Sequence, residues 1–458
     1  MTITPSCYIR MVGRRLPAVL LASLLTDIVA IPNLSHSENL NQAIETALKT
    51  HPRVLTAEAE RRAVVQDLAQ ARSGYFPSVD LNLARGKEHT DTPQVLALGV
   101  GSQTLLRRES SVTLTQRIFD GRATSSEVER QTARLDAASQ RLAAVREEIA
   151  LRTAQVYIEV LKNRELVKLA NDSLRAHLQT LEKVRLRVRG GVGQRADQEQ
   201  TLGRVALAKS TVSARAGALR EAETNYQTVL GKPAGELLDP DVKHNDAVST
   251  GSIDMAILAQ SIRQASEEAA SINPALRAAN ADVNAAEAAV RGAKSAYYPR
   301  FNFEASANRN ENIAGIPGNF NNEALMLVLR WNLLRGGGDL AQERAFAERR
   351  YVALDTAANV RRDVEERVAV ALHQKATSEE RLGYLQDHVK FSNEALQSYQ
   401  EQLDLGRRTL LDVLNAENEL FTARSNLTVG KYDDLFNQYS VEAAKGTLVR
   451  SLGIALSD

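Results

Sequence analysis

The sequence predicts a mainly α-helical fold with a small β part, built from two copies of one structural unit. Three observations lead to this prediction: an internal duplication, two very long stretches nearly free of helix-breaking residues, and four segments that alternate apolar and polar side chains. Aromatic residues make up only 5% of the 458 residues and proline occurs 11 times, which is typical of long alanine-rich helices.

The N-terminus is expected to be a signal peptide covering residues 1–30. Three arginines precede a short apolar run at residues 16–25, and Ala30 is the expected cleavage point. A membrane anchor is the alternative, although the apolar run is short for a bilayer span. The single cysteine, Cys7, lies within this segment, so the remaining chain can form neither a disulfide framework nor a zinc site built on thiolates.

Two repeats are predicted after the signal peptide, residues 31–240 and residues 241–458. His51-Pro52 matches Asn273-Pro274 at an offset of 222 residues, and further matches between residues 114 and 425 hold an offset of 215. A chance similarity would not keep one offset over so long a stretch. The change of offset places a longer loop in the first repeat, between residues 85 and 110.

Each repeat contains a first helix, a strand hairpin and a long helical hairpin. Pro77 and Pro299 end the first helices, because proline cannot continue a helix. Gly121 and the glycines that begin at Gly336 end the strand hairpins. In the first repeat the first helix is predicted at 40–74, the strand hairpin at 78–119 and the helical hairpin at 122–230. In the second repeat the same elements are predicted at 253–296, 300–333 and 339–445.

The long helices are too long for a globular domain. Residues 122–189 contain neither glycine nor proline, and at 1.5 Å per residue this segment extends about 100 Å. Apolar residues recur every seven positions, the period of a left-handed supercoil, so each helix is expected to pack against other long helices. They are Val128, Leu135, Leu142, Ile149 and Val156.

The strands alternate an apolar and a polar face, as in Val79-Asp80-Leu81-Asn82-Leu83. They have about the length of a tilted membrane strand, but four strands cannot close a barrel, for which about eight are needed. Three copies of the chain would supply 12 strands. A soluble, half-buried sheet gives the same alternation, and a coiled-coil spacer would explain the helices alone, so both remain alternatives.

These residues together resemble the TolC-like family of outer-membrane channels in Gram-negative bacteria. The most specific stretch is residues 405–424, similar to the type I secretion branch, and residues 191–197 resemble the first periplasmic turn. The resemblance implies a homotrimer in outer-membrane lipid, with four strands per chain in a shared 12-stranded β-barrel and a trimeric α-helical barrel in the periplasm. It also implies two partners, a periplasmic adaptor (membrane fusion) protein and an inner-membrane ATP-driven exporter, as well as an exported substrate.

Four groups of residues are candidates for functional roles; the resemblance implies the first three, and the preference of aromatic residues for the membrane interface suggests the fourth. Asp412 and Asn415 match the pore constriction, where the family usually has a second aspartate, and three copies of Asp412 would form a cation-favouring ring. Capping of the helix start is the alternative role of Asp412. The second group is the pair of gate residues, Asp197 and Arg408, which are expected to pair directly. The third group is the adaptor-docking tip, with Gly191, Val192, Gly193 and Gly406. The fourth group is the membrane-belt aromatics, Trp331, Tyr75 and Tyr297.

The alternatives for the last two groups are structural. The tip glycines are also required simply to turn the chain, and Trp331 would equally suit packing at the junction of strand and helix.

The function expected from these features is passive transport. The 57 basic and 56 acidic residues balance, which argues against nucleic acid as a partner. No catalytic, cofactor-binding or metal-binding spacing stands out, so we expect neither an enzyme nor a cofactor. Export of a protein by type I secretion is the preferred role. Small-molecule efflux is the first alternative, and a periplasmic tether or adaptor without a pore is the second.

Overall fold

The computed structural model describes residues 37–97, 99, 101–240 and 254–454, so the predicted signal peptide lies outside the described residues. Single 3-10 turns occur at Lys294–Tyr297 and Ile313–Gly315. The helices and strands are, in order, α1 Leu40–Thr50, α2 Pro52–Ser73, β1 Ser78–Thr90, α3 Pro93–Ala97, β2 Gln103–Phe119, α4 Ala123–Arg189, α5 Arg195–Leu230, α6 Met255–Ile272, α7 Pro274–Ala293, β3 Arg300–Glu311, β4 Asn319–Arg330, α8 Gly338–Asp404, α9 Leu410–Lys445 and α10 Leu448–Ser451.

The two halves of the chain contain matching elements. The long helices α4 and α8 have 67 residues each, and the helices that follow them, α5 and α9, have 36 each. The loop between β1 and β2 is longer than the loop between β3 and β4 and includes the short helix α3. The mainly helical fold with four strands is therefore confirmed.

The first helix of each half is broken, so the prediction of one helix over residues 40–74 was wrong. α1 ends and α2 begins at His51–Pro52, where His51 adopts an extended conformation (φ −69°, ψ 128°). A residue before proline avoids the α conformation, while proline itself suits the first helical position. Asn273 and Pro274 break the second helix in the same way, and the Asn273 side chain accepts from the backbone N–H of Ala275 at 2.9 Å.

The four strands form one antiparallel sheet in the order β1-β2-β3-β4, in which β2 and β3 join the two repeats. Directly paired residues share a face of the sheet, so the register separates an apolar face from a polar one. One row across the sheet consists of Val79, Leu114, Ala305 and Leu325, and a row on the opposite face consists of Asn82, Ser111, Asn308 and Asn322. The apolar side chains are open to solvent in the single chain: Leu83 is 69% exposed and Leu327 is 68% exposed.

The long helices lie side by side in a layer. α4 packs against α2 and α7 along its first half and against α5 and α9 along its second half. Because α9 also packs against α8, the layer near the hairpin ends has the order α5-α4-α9-α8. On α4, Leu142, Ile149 and Val156 of the predicted heptad are buried.

The main hydrophobic core lies around the middle of α4, where α1, α5 and α10 meet it. Tyr157 is fully buried, and its hydroxyl lies 2.6 Å from both the Glu38 and the Leu238 carbonyl oxygens. Tyr226 donates to the Glu38 carboxylate at 3.0 Å, and Lys232 pairs with that carboxylate at 2.9 Å. Burial raises the pKa of Tyr157 to about 12, so its hydroxyl remains a donor at physiological pH.

None of the helices within the described residues is long and apolar enough to cross a membrane.

Candidate functional site at the helical hairpin ends

The turn between α8 and α9 positions Asp412. Gly406 has φ +71°, a conformation that favours glycine, and Thr409 caps α9. The Asp412 carboxylate accepts from the Thr409 hydroxyl at 2.8 Å and from the Thr409 backbone N–H at 3.2 Å. These hydrogen bonds, with Arg408 at 3.8 Å as a smaller contribution, hold the pKa of Asp412 below its ordinary value. Asp412 thus caps the helix start, as the alternative role required, and also keeps its negative charge.

Asn415 connects the two helical hairpins. Its side-chain oxygen accepts a hydrogen bond of 2.8 Å from the Arg204 guanidinium of α5. Sequence reasoning placed Asn415 at the constriction but missed Arg204. The sequence could have indicated Arg204, because it lies seven residues after the candidate gate residue Asp197 and therefore on the same face of α5.

The predicted direct pairing of Arg408 with Asp197 does not occur within the protomer. Arg408 instead stacks on the Tyr399 ring, 4.3 Å from its centroid, and donates to Gln402 at 3.0 Å. Asp197 lies in the first turn of α5. The Arg408 side chain is held by its own hairpin because Tyr399 and Gln402 lie on the last turns of α8, directly before the turn. The gate role of Asp197 and Arg408 stays a prediction.

The turn between α4 and α5 needs glycine at two positions. Gly191 has φ +76°, and a Cβ on Gly193 would lie 2.9 Å from the Val188 backbone nitrogen. Between them, Val192 is 75% exposed. The other turn exposes the apolar residue Leu405 to 70%. Backbone geometry thus accounts for the glycines, and docking of an adaptor at this tip stays a prediction.

A buried polar contact between the hairpins was also missed. His177 Nδ1 of α4 lies 3.0 Å from Glu417 Oε2 of α9, and their side chains are only 6% and 8% exposed. The two atoms lack the alignment of a hydrogen bond. The other Glu417 oxygen accepts from the Thr180 hydroxyl at 3.0 Å.

The three candidate belt aromatics lie where helices meet strands. Trp331 donates from its indole nitrogen to the Tyr297 carbonyl oxygen at 3.2 Å, and the Tyr297 hydroxyl donates to Glu343 at 2.8 Å. Tyr75 is half-exposed, and its carbonyl oxygen accepts from Gln116 at 3.1 Å. Trp331 is thus both exposed and hydrogen-bonded at the junction, and the belt role stays a prediction.

Within the described ranges, no group of three or more histidine, cysteine, aspartate and glutamate side chains is placed to hold a metal ion.

The sequence pattern of the family described as "Outer membrane efflux protein" matches residues 43–232 and 265–447, most of both repeats. The chain belongs to this family. As a member of this outer membrane efflux protein family, it is located in the outer membrane of a Gram-negative bacterium and extends into the periplasm. The predicted TolC-like resemblance and this location are confirmed, and the family and fold are those of passive channels.

Three curated relatives align over nearly their whole length. The outer membrane efflux protein BepC of Brucella suis is 25% identical over 430 residues, which are 93% of this chain and 89% of BepC. The outer membrane protein TolC of Vibrio cholerae is 26% identical over 433 residues (90% and 91%). The proteases secretion protein PrtF of Dickeya chrysanthemi is 23% identical over 438 residues (93% and 92%).

The fold is also that of solved outer-membrane channels. The outer membrane protein VceC of Vibrio cholerae superposes with a TM-score of 0.72 at 18% identity, covering 89% of this chain and 96% of VceC. The family match makes the chain an outer-membrane efflux channel of tripartite systems, and members of this family form trimers and act with an adaptor and an inner-membrane transporter.

Proposed function

We propose that three copies of this chain form an exit duct that passively conducts a protein through the outer membrane in type I secretion. The observation that carries the proposal is the sheet. Its apolar face is exposed, its opposite face is polar, and within the part of the chain that the structure describes its outer strands β1 and β4 each have one unpaired edge. Exposed apolar surface and unpaired edges are both costly, and both are removed when three sheets join edge to edge into a 12-stranded barrel.

The helical layer supports the same assembly. α5 and α8 lie at its two sides, and α8 has exposed apolar residues, among them Val352 and Tyr384. Packing α8 of one copy against α5 of the next gives a head-to-tail contact, which closes into a ring when the rotation between copies is one third of a turn. The closed ring would be a hollow tube of helices about 100 Å long below the barrel.

The preference for a protein substrate rests on the resemblance of residues 405–424 to the type I secretion branch. The relative PrtF is described as a secretion protein for proteases, which supports this preference. BepC is described as an efflux protein, which favours the second candidate, small-molecule efflux. In either case an adaptor and an inner-membrane ATP-driven exporter are the proposed partners.

Deletion of the gene separates the two candidates. We expect the deletion strain to lose export of the protein encoded beside the exporter genes while its susceptibility to dyes and antibiotics stays unchanged. Expression of the wild-type chain should restore export. Unchanged export together with raised antibiotic susceptibility would contradict protein secretion and favour small-molecule efflux.

A further inference from the structure

The groove between the ends of α8 and α9 has a polar side formed by α9. Asp412, Asn415 and Glu419 follow each other at intervals of three and four residues, so they lie on one face of the helix and all three line the groove. The facing side, from α8, includes the aromatic residues Phe391 and Tyr399. Sequence reasoning singled out the first two polar residues but not Glu419, one helical turn further along.

At two of the three positions no negative charge is left without a partner, and Arg204 adds a positive charge beside Asn415. Asp412 has the Arg408 guanidinium 3.8 Å away, and the neutral amide of Asn415 is bonded to the Arg204 guanidinium. The remaining carboxylate, Glu419, has a different kind of partner. Its Oε1 lies 2.9 Å from His388 Nε2 of α8, and the two side chains are 59% and 40% exposed. Histidine changes its charge between pH 5 and 8, so the net charge of this pair depends on pH.

We propose that Glu419 is a selectivity-determining residue of the channel and that His388 sets its effective charge. The proposal rests on the proposed function, because a ring of Glu419 exists only when three copies surround one pore. With His388 neutral, three carboxylates attract cations and repel anions. With His388 protonated, each pair is neutral and the ring loses most of its field.

The other charged groups beside this face lie on α9 and α8. On α9, Arg424 is hydrogen-bonded to Asn393 at 3.3 Å, and Glu417 lies at the contact with α4, beside His177. On α8, Lys390 lies 5.5 Å from the centre of the Phe391 ring. Since the pKa of Asp412 is held below its ordinary value, Asp412 stays charged between pH 5.5 and 8.

The experiment measures reversal potentials of the purified full-length channel in planar bilayers under a KCl gradient. We expect the wild-type channel to prefer K⁺ over Cl⁻ at pH 8 and to show a reversal potential shifted toward zero at pH 5.5. Glu419→Gln should shift the pH 8 value toward zero and remove the pH dependence. His388→Gln should keep the cation preference at pH 5.5.

Matched controls are Glu394→Gln and His373→Gln, which remove exposed groups of the same chemistry from α8 and should behave as wild type. Glu419→Asp keeps the charge and should keep the cation preference at pH 8, which separates charge from packing. Pores with unchanged selectivity in Glu419→Gln, or unchanged pH dependence in His388→Gln, would overturn the proposal. Failure of the wild-type chain to form any pore would instead contradict the proposed function.

Discussion

Glu147 and Leu448, separated by 301 positions in the sequence, are joined by a hydrogen bond of 2.9 Å from the Leu448 backbone N–H to the Glu147 carboxylate. The same carboxylate accepts from the Val449 N–H at 3.2 Å. These are the first two residues of α10, whose N–H groups have no acceptor within so short a helix. One carboxylate of α4 therefore fixes the C-terminal part of the chain against the central core.

This contact predicts a pH-dependent stability. Burial raises the pKa of Glu147 to about 7, whereas an unfolded glutamate titrates near its ordinary value of about 4.3. The folded-state pKa is raised, so the contribution of Glu147 is full below about pH 4 and is lost as pH rises to about 7. Glu147→Gln, which stays neutral, should have a higher free energy of unfolding than wild type, by an amount that grows from near zero at pH 4.5 to about 3–4 kcal/mol at pH 8. Thermal unfolding in detergent at several pH values measures this gain.

The control for that prediction is Glu148→Gln. The Glu148 carboxylate is 56% exposed and pairs with Arg53 at 2.6 Å, so its loss should cost about 1 kcal/mol or less. An equal pH response of the two variants would show that burial of Glu147 is not the cause.

Gly121 should tolerate alanine less well than its counterpart Gly336. Both have positive φ, +65° and +59°, but a Cβ on Gly121 would lie 2.6 Å from Tyr298 Cβ, while a Cβ on Gly336 would have no atom within 4 Å. Gly336→Ala should lower the free energy of unfolding by about 1–2 kcal/mol, because alanine disfavours the left-handed backbone conformation. Gly121→Ala should lower it further, because the added Cβ would also collide with Tyr298. Thermal unfolding of the two variants compares them, and equal losses would argue against the close approach.

The two faces of the sheet should respond differently to arginine. Leu81 and Asn82 are neighbours on β1 and point to opposite faces. Leu81→Arg places a charge on the proposed lipid side, where it should cost about 2–4 kcal/mol, whereas Asn82→Arg points to the proposed lumen and should be tolerated. The amount of heat-modifiable trimer in outer-membrane fractions measures the difference. Equal amounts of trimer in both variants would contradict the orientation of the sheet.

The Tyr157 hydroxyl should hold the start of the described chain in place. Tyr157→Phe removes the donor beside the Glu38 and Leu238 carbonyl oxygens, which should lower the free energy of unfolding by about 1–3 kcal/mol. Hydrogen exchange at residues 37–40 and 236–239 should accelerate. Tyr384→Phe, which changes a side chain 61% exposed, is the control and should leave exchange in these segments unaltered. Unchanged exchange in Tyr157→Phe would show that the surrounding core alone holds the segment.

The sequence by itself determined the architecture of this protein. A run of 68 residues without glycine or proline can hardly form anything other than one long helix, and alternation with a period of two fixes which strand residues share a face. The duplication then doubles each inference, because an element recognised in one repeat is expected in the other. Local signals of this kind are sufficient wherever a structure depends mainly on residues near in sequence.

The tertiary structure alone decided which residues distant in sequence meet. Arg204 with Asn415, His177 with Glu417 and Glu147 with Leu448 are contacts between residues more than 200 positions apart in sequence. Similarity of sequence pointed instead to Arg408 with Asp197, yet Tyr399 and Gln402 hold the Arg408 side chain on its own hairpin. The physical reason is that periodicity states which face of a helix is buried. Which residue of the neighbouring helix a side chain contacts depends on the relative shift and rotation of the two helices. The packing of the whole protomer determines that shift and rotation.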